Sequence, residues 1–342
     1  MWELANHSPF EAAGTLMRDR RGAEVWCSAV VGQFAVEPDG LCRMVPPTPV
    51  NRVQLFAGPE SQRLDAEADF APFRPRTDII VTGAALAPEA RPARRIEIGI
   101  RVGKLAHLLE AHAPSVLRRQ ARGWQLDQGD AVTEVWTGWD LALGGHDPYG
   151  AQDGHERHPA NPLGKGWLRD FATLPLDQSL DLPQILRPGE SVQPDAPLPA
   201  PAGLGYIHPA WQPRQRHAGT YDETWRTRVA PLLPQDFNEA FHQAAAPEMI
   251  YPGDLQGGEP VEISGMAPSG LWQLRLPQII LEQDCRFGRT SRTSRFRLVN
   301  LHLDPPSGQI RMVWNATELC TGHEEQLRRT QIRLLQMSGV RT

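Results

Sequence analysis

The stretch from Gly144 to Pro159, GGHDPYGAQDGHERHP, holds the densest group of potential metal ligands in the sequence: His146, Asp147, Asp153, His155, Glu156 and His158. Imidazoles and carboxylates are what zinc or another first-row metal takes, and a water on such an ion would be a nucleophile near neutral pH. The spacing argues against it. His155 and His158 form H-x-x-H, whereas two imidazoles beside a general base on one helical face require H-E-x-x-H. A solvated polar loop is the first reading, so no metal or other cofactor is expected. A metal-dependent hydrolase built on His146, Asp147, His155 and His158 is the alternative.

Other chemical signatures are weaker still. The Gly-Lys pair in Leu163-Gly-Lys-Gly-Trp167 lacks the preceding loop and the following Ser or Thr of a phosphate cradle. There is no G-x-S-x-G elbow, and Cys27, Cys42, Cys285 and Cys320 show neither C-x-x-C nor metal-ligand spacing, which reads as reduced thiols. An enzyme is not expected. Arg286, Arg289, Arg292, Arg295 and Arg297 crowd a dozen residues; Arg289 and Arg292 are candidate contacts to an acidic partner, against the plainer reading of a solvated approach to a strand. Ten tryptophans leave a carbohydrate-binding β module as a further alternative.

The elements that must carry these residues read as β-structure at both ends of the chain. Arg95–Val102 alternates, with Ile96, Ile98, Ile100 and Val102 on one face. Trp26, Val30, Phe34 and Val36 share a face of a strand that turns at Pro38-Asp-Gly and returns through Leu41 to Val45. Trp272 and Leu274 follow a turn from Val261 and Ile263, and Asp304-Pro-Pro-Ser-Gly joins Arg295–Leu303 to Ile310–Trp314. Leu327–Leu335 reads as a closing strand. Between the two regions the chain is rich in Gly, Pro, Trp and His, and its prolines between Leu182 and Pro213 interrupt both helix and central strand. Asp222 is expected to cap one short helix carrying Trp225 and Val229, and Asp236 a second carrying Phe237, Ala240, Phe241 and Ala244.

The expected architecture is therefore mainly β, with sandwich-like antiparallel sheets, a long irregular central segment and two or three short helices. Its regions are 1–143, 144–260 and 261–342, the last completing the core, with a single domain overall left open.

Composition bounds the function. The chain has 342 residues, 40% apolar and 22% charged, which excludes wholesale disorder. With 35 Lys and Arg against 40 Asp and Glu, a net charge of −5 speaks against nucleic acid. No window has the uninterrupted apolar length of a membrane helix, and the residues after Met1 lack the cations and apolar run of a secretion signal. A cytoplasmic location, with neither membrane nor nucleic acid as partner, is expected.

Several separated strings, in this order, carry a resemblance: ADFAPFRPRTDIIVTGAALAP (68–88), W-x-x-W-D-x-A-x-G-G (136–145), NPLGKGW (161–167), PAGLGYIHPAWQPR (201–214), AGTYDETW (218–225), PLLPQDFNEAFHQAAAP (231–247) and GGEPVEISGM (257–266). Together they resemble a bacterial family of unknown function associated with type VI secretion. Ala142 and Leu143 stand where that family often has Ala-Phe, and His146 precedes its usual Asp. The resemblance implies an effector adaptor: a non-enzymatic chaperone that binds a toxic effector in the cytoplasm and loads it onto the secretion spike, at the valine-glycine repeat trimer or its PAAR-motif tip. Within the strings, Asp69, Asp78, Gly83, Gly144, Gly145, Asn161, Gly164, Asp222, Gly258 and Glu259 read as structural positions. Trp211, Arg214, Tyr221 and Trp225 are the aromatic and arginine side chains suited to partner contact, or to pinning the segment onto its own sheets.

Overall fold

A computed structural model describes residues 2–58, 61–150, 156–320, 322 and 324–341 of the chain. Strands take up 45% of it and helix 8%, so the protein is mainly β, and the described residues form no barrel.

The alternation in Arg95–Val102 does what its period requires. Ile96, Ile98, Ile100 and Val102 are buried, and the strand pairs antiparallel with Leu105–His112 on one side and Pro260–Ser264 on the other. Leu271–Arg275 and Ile185–Leu186 complete a five-stranded sheet. A seven-stranded sheet is built on Glu24–Val36, whose nearly continuous burial is that of a strand covered on both faces. It pairs with Gln309–Leu319 on one edge and shares the other between Glu11–Arg18 and Cys42–Val45. Both anticipated hairpins form here, the second between Arg297–Asp304 and Gln309–Leu319.

Val30, Phe34 and Leu301 of the larger sheet join Ile98, Ile100 and Val261 of the smaller in one core cluster. Each such side chain removed from water contributes about 1.5–3 kcal/mol before entropy is counted. Leu327–Ser338 is indeed a strand, in a four-stranded sheet with Glu3–His7, Gln278–Phe287 and Thr290–Arg295. A three-stranded sheet, Gly123–Gln128, Ser115–Gln120 and Ser179–Asp181, covers a smaller cluster around Leu117, Leu143, Leu168 and Phe171. Strands from both ends of the chain interleave in the two larger sheets.

Two local expectations are corrected. The sheets are not purely antiparallel: Glu3–His7 runs parallel to Leu327–Ser338, and Asp78–Val81 parallel to Arg297–Asp304. Each pair joins strands far apart in sequence, as parallel neighbours must be, so no hairpin signal could announce it. The helix expected after Asp236 is also absent. Asn238 caps a 3-10 turn, Glu239–His242, and the backbone then leaves the turn so that Gln243 Nε2 and the Ala244 N–H reach the Asp78 carboxylate at 2.6 and 2.8 Å. Asp236 instead accepts from the Thr220 backbone N–H and hydroxyl. The first helix, Glu223–Arg228, forms with Asp222 Oδ1 accepting from Trp225 N at 2.8 Å.

Candidate partner-binding surface

Trp211 and Arg214, the foremost contact candidates, are 2% and 4% exposed. They are interior. Arg214 donates from Nη1 to Glu67 Oε2 and to the Ile207 carbonyl, both at 2.7 Å, and from Nε to the Phe241 carbonyl at 3.0 Å. Arg74 ties the same region down by donating to the His242 and Ala68 carbonyls. Burial pushes the Glu67 carboxyl up, but Arg214 and Arg74 more than offset that and hold it below the usual range. The Trp211 ring meets Trp139 edge-on, centroids 6.5 Å apart. A buried charge is tolerated only when paired and hydrogen-bonded, so this ion pair fixes the central segment and offers no landing surface.

A second buried carboxylate, Asp69, repeats the device, and a third, Asp78, is held by amide donors instead. Arg311 grips Asp69 bidentately at 3.0 and 2.6 Å, and Asp69 Oδ2 also accepts from the Asn51 N–H. Asp78 is fully buried, and its carboxyl is raised by that burial despite Arg74 and its amide donors. Sequence reasoning does not single out Glu67, Arg74 or Gln243. Arg74 and Gln243 do lie inside two of the strings, which is the signal that was available; Glu67 sits one residue outside.

The Gly-Gly and NPLGKGW strings interlock. Asn161 Nδ2 donates to the Trp139 and Leu143 carbonyls at 2.7 and 2.9 Å, and Leu143–Gly144 pairs with Lys165–Gly166. A Cβ at Gly144 would sit 2.1 Å from the Asn161 carbonyl oxygen, and one at Gly164 would sit 2.4 Å from that of Ala142. Side chains cannot fit there. Gly145 and Gly83 are buried, the Gly83 carbonyl accepting from Thr137; Gly258 turns the chain before Glu259, whose Oε1 accepts from the Gln256 N–H.

This scaffold also absorbs part of the candidate metal loop. Asp147 is buried and accepts from the Tyr149 and Arg169 N–H groups, and His158 Nδ1 accepts from Ala160 and Asn161. His146 is exposed, while Asp153 and His155 lie outside the described residues. Among the described residues no three His, Cys, Asp or Glu side chains are grouped to hold a metal ion. The four cysteines are buried, and among the described residues no helix is long and apolar enough to cross a membrane.

What the fold leaves outside is the loop 218–236. Tyr221 is 53% exposed, its ring edge-on to Trp225 at 4.7 Å. Half-buried Trp225 donates from Nε1 to the Leu232 carbonyl, and the Leu232 side chain is exposed. The Asp222 cap and the Asp236 to Thr220 clasp close the loop on itself. Of the arginines, Arg289 is exposed at a turn, whereas Arg292 lies over the Phe287 ring and donates to the Leu319 carbonyl.

Residues 21–315 match a family described as an uncharacterized protein conserved in bacteria, DUF2169. The chain belongs to the DUF2169 family. No curated protein and no solved structure shows a match. The match spans all the strings, from Ala68 to Met266, so the buried ion pairs and the Asn161 interlock lie within the part of this DUF2169 protein that its family defines.

Proposed function

We propose that this bacterial protein is a non-enzymatic adaptor that binds a toxic effector in the cytoplasm and places it on the type VI secretion spike, at the valine-glycine repeat trimer or its PAAR-motif tip. The observation that carries the reading is the 218–236 loop. It holds Tyr221 outward on a framework closed by its own hydrogen bonds, with Leu232 partly exposed where it packs over Gly22. Protein interfaces draw their affinity from a few aromatic and arginine groups, and a surface ordered before contact loses less entropy on binding. Glu223, Arg226 and Arg228 are exposed on the same short helix as Trp225, Arg226 pairing with Glu223, and supply the polar groups that such a patch requires. The ordered strings and membership of a bacterial family support the same assignment.

The test is delivery. Cells lacking this chain are expected to stop killing neighbours with the toxin encoded beside it, and to recover with the wild-type chain but not with Tyr221→Ala. If the toxin travels and kills equally well without the chain, the reading fails.

A further inference from the structure

The hairpin of Gln278–Phe287 and Thr290–Arg295 leaves its second strand at the edge of the four-stranded sheet. Phe287 faces Thr290 across the turn Gly288-Arg289, Cys285 faces Arg292, and Gln283 faces Ser294. Just beyond, the Phe296 N–H donates to the Leu281 carbonyl at 3.1 Å. Alternate residues of an antiparallel strand turn their N–H and C=O to the same neighbour, so Thr290, Arg292, Ser294 and Phe296 bond inward. Ser291, Thr293 and Arg295 therefore present their backbone groups outward. All three residues are exposed, and among the described residues nothing bonds to those groups.

Positive charge gathers at the turn end of the same hairpin. Arg286 stands directly opposite Arg329 of the neighbouring strand, and like charges so placed repel. Arg289 lies in the turn and Arg328 at the register shift beside Arg329, and all four side chains are exposed. Arg329 reaches Glu3 at 3.6 Å, whereas Arg286 donates from Nε to the Gly288 carbonyl. Among the described residues, Arg286, Arg289 and Arg328 have no carboxylate partner. The acids along the hairpin are engaged: Glu282 is shared by Arg333 and Arg295 at 3.3 and 3.9 Å, and Asp284 accepts from the Thr293 hydroxyl at 3.5 Å. Glu325, exposed before Leu327, pairs with none of these arginines.

We propose that this edge takes an extended acidic segment of a partner protein as a fifth strand. Its backbone pairs with Ser291, Thr293 and Arg295, and a carboxylate near the turn is received by Arg286 and Arg289. Two observations select that occupant. The edge offers donors and acceptors at strand spacing, which another polypeptide strand meets in register. A nucleic acid backbone, whose phosphates only accept, serves the N–H groups and leaves the carbonyls unmet. Arginines without carboxylates then select acidic side chains, through charge-assisted hydrogen bonds. Ser291 is the small residue between Arg286 and the edge, so the guanidinium has a path to the added strand. Asp284 opposite Thr293 favours an uncharged residue at the next position along. A second copy of this chain would bring an edge, TSRTSR, that carries arginine and no carboxylate. The inference stands apart from the adaptor reading, because it specifies the chemistry of a segment whatever protein supplies it.

The experiment titrates the full chain with the capped peptide Glu-Val-Thr-Val-Glu-Val, following the backbone N–H resonances of Ser291, Thr293 and Arg295 and their hydrogen exchange. The capped peptide Lys-Val-Thr-Val-Lys-Val and a single-stranded thymidine oligonucleotide are the comparisons. The expected result is a saturable shift with the Glu peptide alone, with exchange slowed at those three amides. Arg286→Gln combined with Arg289→Gln should weaken binding roughly fivefold or more. Thr293→Pro removes an outward N–H and no ladder bond, and should abolish the slowed exchange at Ser291 and Arg295. The arginine pair, being exposed, keeps the test decisive if the proline variant folds poorly. No saturable shift at millimolar Glu peptide, an equal shift with the Lys peptide or the oligonucleotide, binding without slowed exchange, or affinity indifferent to the arginine substitutions would overturn the proposal.

Discussion

Arg214 Nη1 lies 2.7 Å from Glu67 Oε2 with both side chains almost wholly out of water. The pair joins the loop before Asp69 to the end of the Pro-rich stretch, and the same guanidinium also holds the Ile207 and Phe241 carbonyls. A segment with few backbone ladders is thereby anchored by one residue.

Removing that anchor is expected to be costly. Arg214→Ala leaves Glu67 charged and unpaired in the interior and should destabilise the fold by about 3–5 kcal/mol, read from urea midpoints. The double variant Arg214→Met with Glu67→Leu should recover most of the loss, because neither member then leaves a buried charge.

The contrast with what sequence reading can see is instructive. Alternation in Arg95–Val102 and the turn at Pro38-Asp-Gly40 were legible because they depend on neighbours in the chain. So was the Asp222 cap. Phe237, Ala240, Phe241 and Ala244 have helical spacing, which suggests a helix after Asp236, yet the distant carboxylate of Asp78 takes Gln243 and Ala244 out of register. Pinning of Trp211 and Arg214 is one of the two readings their types allow, but their partners Glu67 and Trp139 are not legible, since these reach them only through the tertiary fold. Composition pointed to a covering segment; only the fold separates its anchors from its exposed tip.

Asn161→Ala should unfold the interlock locally. It leaves the carbonyls of Trp139 and Leu143 without their side-chain donor, at about 1–3 kcal/mol for each group that water cannot reach. Hydrogen exchange is expected to accelerate at Leu143–Gly144 and Lys165–Gly166 before the five-stranded sheet responds.

Acid should weaken the protein in a defined window. Burial, with Arg74 and Arg214 adding to it, pushes the His242 imidazole down from 6.5 to about 4, and burial with Arg311 pushes His302 down to about 4, against Asp304. Both rings titrate lower folded than unfolded, so the unfolded chain binds more protons between these values. Stability is complete above about pH 6.5 and falls as pH drops toward 4, by at most about 3 kcal/mol per ring. Asp78, raised by burial above its ordinary 3.8, contributes with the opposite sign from that value upward and so opposes the histidines within the same range. Denaturant midpoints across this range check the slope, and His242→Phe, which keeps the aromatic contacts with Phe237 and Phe241, should flatten it.

Tyr221→Ala should be silent in the isolated protein. Its ring is more than half exposed and the Asp222 cap does not involve it, so stability should change by less than about 0.5 kcal/mol. Any effect must then appear in complex formation.

The most direct measurement is calorimetric titration of the purified chain with the proposed effector toxin, wild type against Tyr221→Ala. A saturable one-phase isotherm for the wild type, and affinity weakened roughly tenfold or more in the variant at unchanged melting temperature, is the expected result. No heat of binding from the wild type, or equal affinity for both proteins, would contradict the assignment of the 218–236 loop as the surface that receives the toxin.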